Sequence, residues 1–81
     1  MNRVWEHVIS RLKEQFPILA ISSYLDGTET VDVHDSTLTI VFTSPFRADV
    51  VSLKYVDAIR EAAEEVMQAP VDVEILVDFD G

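Results

Sequence analysis

A chain of 81 residues, 48% of them hydrophobic, has room for one small globular domain, and a domain of that size buries only roughly 60% of the surface its unfolded chain exposes. The absence of cysteine excludes disulfides and thiolate metal centres and agrees with a reducing, cytoplasmic setting. Fifteen acidic residues against six basic ones give a formal net charge of −9. Arg3, Arg11, Lys13, Arg47, Lys54 and Arg60 are scattered, so little or no direct nucleic-acid binding is expected without a basic stripe to displace counterions from phosphates.

Residues 2 to 16 have the spacing of an amphipathic helix capped by Asn2. Val4, Trp5, Val8, Ile9, Leu12 and Phe16 recur at i, i+3 and i+4 and define one apolar face. The same stretch lacks the unbroken apolar run of a signal peptide, and no segment approaches the ~20 apolar residues that cross a bilayer. Pro17 stops the helix, because proline lacks an N–H and disfavours helical geometry in the residue before it. A short second helix follows over 18 to 25, with Leu19, Ile21, Tyr24 and Leu25 as its buried side. Asp26 and Gly27 end it.

Residues 29 to 42 alternate as a β-hairpin around a tight Asp35-Ser36 turn. Val31, Val33, Leu38, Ile40 and Phe42 lie on one face, and Asp32, His34, Thr37, Thr39 and Val41 on the other. Ser44 then caps a third helix that starts at Pro45 and runs to about Gln68. Its apolar phase changes on the way. Phe46, Val50 and Leu53 share one face, whereas Tyr55, Ile59, Ala62 and Val66 share a face rotated by roughly half a turn. A bend or break near Leu53 and Lys54 is expected, with both stripes packing inward. Pro70 ends the helical section. Residues 71 to 77 form the last strand, with Val71, Val73, Ile75 and Val77 on one face; DFDG after it resembles the start of a linker.

The order ααββαβ predicts an α+β fold: a three-stranded sheet with helices packed mainly on one face. The last strand can add beside the first or the second, and beside the second it would be parallel. No catalytic chemistry is legible. His7 and His34 lack a metal-ligand spacing, and Glu61, Glu64 and Glu65 have the pattern of a solvated helix face. No serine has a paired base, and no glycine-rich phosphate loop is present. The chain is therefore expected not to be an enzyme and to use no cofactor or metal.

The whole pattern resembles the N-terminal domain, domain I, of the bacterial chromosomal replication initiator DnaA. VWEHVISRL carries the first-helix Trp5, Val8, Ile9 and Leu12; the second helix ends in Tyr24 and Leu25; DSTLTI stands at the hairpin. Phe46, Asp49, Lys54 and Tyr55 follow in the family's order, and VDVEILV closes the fold. Proline sits differently in FTSPF, and Val50 stands where tryptophan is common. The acidic helicase contact of one member's second helix has no counterpart at Ala20 and Ile21 and is not carried over.

The resemblance implies a single interaction domain over residues 1–81, similar to a type II KH fold and forming the N-terminal part of a longer initiator. It also implies weak self-association, recruitment of the replicative helicase and binding of initiator regulators. Trp5, Phe46, Arg47 and Asp49 are the protein-contact candidates. Trp5 and Phe46 each have a competing reading as core residues. The alternative for the chain is a stand-alone KH-like nucleic-acid-binding or regulatory protein.

Overall fold

The structure, a computed structural model, describes residues 3–78. Asn2, expected as the first helix cap, and most of DFDG lie outside them. The elements are α1 (Arg3–Gln15), α2 (Ile18–Tyr24), β1 (Thr30–His34), β2 (Thr37–Phe42), α3 (Pro45–Val50), a wide-turn π segment (Val51–Tyr55), α4 (Val56–Met67) and β3 (Asp72–Val77). With α3, the π segment and α4 taken as one interrupted helix, this is the expected ααββαβ order.

Pro17 breaks the first helical section as its chemistry requires. The chain leaves α1 after Gln15, and the Pro17 carbonyl accepts from the amides of Ala20 and Ile21 to open α2. Ile21 and Leu25, four residues apart, take the core side of α2. Leu19 does not join them and is 82% exposed, against expectation. Two residues from Ile21 is about 200° around the helix, so one two-turn helix cannot bury both. Leu25 closes α2, and Gly27 takes its left-handed conformation (φ +92°) two residues later, in the loop to β1.

The hairpin turn places Asp35 and Ser36 both at positive φ (48° and 69°), the geometry that matches the twist of a two-residue connection. The register runs from Thr30 opposite Val41 to His34 opposite Thr37. β3 adds beside β2 in parallel, Thr37 opposite Asp72 through Phe42 opposite Val77, so the sheet order is β1-β2-β3. Leu38, Ile40 and Phe42 are fully buried, with Val31, Val33, Val73, Ile75 and Val77 packed beside them. The opposite sheet face carries exposed Asp32, His34 and Glu74 and half-buried Thr37, Thr39 and Val41.

The break expected near Leu53 and Lys54 is the π segment, a single widened turn of the kind that interrupts long helices. The two stripes do not both turn inward. Ala48, Val51, Tyr55, Ile59 and Ala62 form one buried series through the interruption, whereas Phe46 and Leu53 are 67% and 85% exposed. The stripes are half a turn apart, and one widened turn cannot bring both onto the same core. The stripe continuous with α4 wins, because it also meets Val8 and Leu12 of α1 in the same cluster.

Glu61 and Glu65 of α4 are exposed, as a solvated face requires, but Glu64 departs from that pattern. Glu64 is half-buried, and its carboxylate accepts from the Val71 amide at 3.1 Å, fixing the approach to β3. Glu65 lies 3.6 Å from Arg11 of α1.

Candidate protein-interaction site

Three ring contacts lead from the core to the surface. Phe16 meets Tyr55 edge-on, with centroids 5.1 Å apart and planes at 87°. Tyr55 lies 6.1 Å from Tyr24, and Tyr24 lies 6.3 Å from Phe46, within the range of favourable aromatic pairs. Exposure rises outward from Tyr55 through Tyr24 to Phe46. Tyr55 is buried, Phe16 and Tyr24 are half-buried, and Phe46 is the exposed end.

Local chemistry holds Phe46 in one direction. Ser44 is extended (φ −111°, ψ 117°), and its hydroxyl accepts from the Arg47 amide at 3.3 Å. Pro45 occupies the first turn, where its missing N–H costs nothing. Arg47 reaches the loop after α2. Its guanidinium pairs with the Asp26 carboxylate and donates to the Thr28 hydroxyl at 3.3 Å. Asp26 also accepts from the Thr28 amide (3.1 Å) and the Thr28 hydroxyl (2.8 Å). These two Thr28 hydrogen bonds, aided by the attraction of Arg47, hold the Asp26 carboxyl below its ordinary pKa, despite a smaller opposing effect of desolvation.

Of the four contact candidates, the structure brings Phe46, Arg47 and Asp49 together on α3, with Asp49 exposed. Trp5 lies apart from them. It is 8% exposed and belongs to the core cluster, with its indole N–H directed at Glu29 Oε1 (3.4 Å). It forms part of the wall of a groove of about 360 Å³ that Ile9, Lys13, Leu25, Asp26 and Glu29 also line.

Sequence reasoning missed Asp26 and Thr28 as neighbours of α3. The Asp-Gly-Thr spelling of an Asx turn was there to be read, but not its partner 19 residues on. Among the described residues, no three His, Asp or Glu side chains are grouped to hold a metal ion, and no helix is long and apolar enough to cross a membrane.

The chain is thus a small α+β domain with an exposed aromatic residue at a capped helix start. A family model describing the DnaA N-terminal domain matches residues 2–65, and the chain belongs to that family. It is thus a replication-initiator N-terminal domain. No curated protein matches the chain. The family match ends within α4, before β3 adds the third strand.

Proposed function

We infer that this domain recruits the replicative helicase, and is read by initiator regulators, through the surface around Phe46. The observation that carries the reading is a large aromatic side chain 67% exposed at a capped, proline-started helix end. Such a group gives up little side-chain entropy on binding, which is the property of an interface anchor. Asp49 supplies polarity at the rim of the same turn.

The domain works in the cytoplasm as the N-terminal part of a longer initiator and needs no cofactor. It associates weakly with a second copy along α1 beside the Trp5 groove. Sedimentation at rising concentration checks this last point, and a strict monomer removes it.

The main test is Phe46→Ala, measured for both helicase affinity and folding stability. The expected result is a loss of more than 1 kcal/mol in binding, about fivefold in affinity, at an unchanged denaturant midpoint. Unchanged affinity would refute the reading, and so would a binding loss that only follows unfolding.

A further inference from the structure

The loop that links α2 to β1 forms a closed ring with α3. Arg47 donates to Asp26 and to Thr28, and Thr28 donates to Asp26 through both its amide and its hydroxyl. The side chains of Arg47 and Asp26 are about two-thirds shielded from solvent (32% and 27% exposed), so the pair is less open to water than a free surface ion pair. The lowered pKa of Asp26 agrees with a carboxylate held charged inside this ring.

The ring sits where it can matter most for Phe46. α3 is the six-residue opening section of the interrupted helix, and the side-chain cap at its exposed start is a single 3.3 Å hydrogen bond. Phe46 is adjacent in sequence to Arg47, and its aromatic neighbour Tyr24 ends α2, two residues before Asp26. The same two segments are thus tied twice, by the ring pair Tyr24–Phe46 and by the ion pair Asp26–Arg47. Both contacts use Arg47 Nη1 and draw the guanidinium onto the loop between α2 and β1, where about two-thirds of the side chain is shielded from solvent.

We propose that Asp26 and Thr28 are positioning residues for the Phe46 surface, and that they act through Arg47, which braces α3 from within rather than contacting the partner. This rests on the reading of Phe46 as the partner contact. The first arm of the test is independent of that reading and uses the free full chain. Asp26→Asn, Thr28→Val and Arg47→Ala should each abolish the nuclear Overhauser contacts between the Tyr24 and Phe46 rings. Each should also speed hydrogen exchange of the Arg47 and Ala48 amides at least fivefold, while the exchange of α4 amides stays unchanged. Thr28→Ser keeps the hydroxyl and should behave as wild type. Unchanged ring contacts and exchange in the three variants would overturn the proposal.

The second arm measures affinity for the replicative helicase in a double-mutant cycle. Asp26→Asn should weaken binding about three- to fivefold when Arg47 is present and have no effect in the Arg47→Ala background. Additive losses would mean that Asp26 meets the partner directly, and would sink the proposal. Failure of Phe46→Ala to weaken binding would count against the Phe46 reading instead, and the first arm would still decide whether the ring holds Phe46.

Discussion

Phe42 and Phe46 are four residues apart and have opposite fates. Phe42 ends β2 at 1% exposure, and Phe46 begins α3 at 67%. Truncation to alanine should therefore cost about 3–5 kcal/mol at Phe42 and less than about 1 kcal/mol at Phe46. Chemical denaturation of the two variants measures the contrast, and a Phe46 loss as large as that of Phe42 would return Phe46 to the core. Asp26 makes a second prediction at this scale. Its folded pKa is lowered, so its contribution to stability is present above the ordinary aspartate range and is lost as pH falls through the folded value. The charged groups around it are Arg47 on α3, Glu29 on its own loop, and Glu6 and Lys13 on α1 across the groove. The Tyr24–Phe46 ring contact should persist as pH falls to the ordinary aspartate range and open only below it. A titration followed by ring chemical shifts reports this, and opening at or above the ordinary value would contradict the assignment.

The connections between elements carry strain that substitution can relieve. Ser36 adopts φ 69° in the hairpin turn and Gln68 adopts φ 56° at the end of α4, both in the region that penalises a Cβ. Ser36→Gly should raise stability by about 0.5–1 kcal/mol, because the backbone hydrogen bond from the Asp72 amide to the Ser36 carbonyl is retained. Gln68→Gly should gain less, since the Gln68 side chain donates to the Glu65 carbonyl and that bond would be lost. Denaturant midpoints of the two variants give the ranking, and a destabilised Ser36→Gly would show that the turn is not strained. The π segment is the other element-scale feature. It keeps Ala48 of α3 and its own Val51 on the same core as Ile59 and Ala62 of α4.

For the molecule as a whole, charge is the dominant property. Among the described residues, Arg11, Arg47 and Arg60 pair with Glu65, Asp26 and Asp57, which engages three of the six basic side chains of the chain. The remaining field is strongly acidic. It should repel single- and double-stranded DNA alike, so fluorescence titration at physiological salt should give no dissociation constant tighter than about a micromolar, the strong end of ordinary non-specific binding. A tighter constant with a steep salt dependence would require a basic surface that these residues do not form.

The sequence by itself determined the order of the elements, because its periodicities are local properties. Pro17 interrupts the first helical stretch, the hairpin strands alternate with period two, and Ser44-Pro45 spells a helix start, whereas α4 ends at Met67 with Gln68 left-handed, before Pro70 is reached. It also carried the family pattern from Trp5 to Tyr55. What it left open were choices between faces and neighbours. Leu19 and Ile21 were equally apolar, and only contact with the core selected Ile21. The stripe of Phe46, Val50 and Leu53 was at least as apolar as that of Tyr55, Ile59, Ala62 and Val66, so both were expected inside, and only the packing of α4 against α1 decided which held the core. The place of β3 beside β2, the cap that Glu64 gives Val71 and the Asp26–Thr28–Arg47 ring join residues far apart in the chain. No local propensity encodes such pairings. They exist because burying one continuous apolar surface brings those segments to the same edge of the fold.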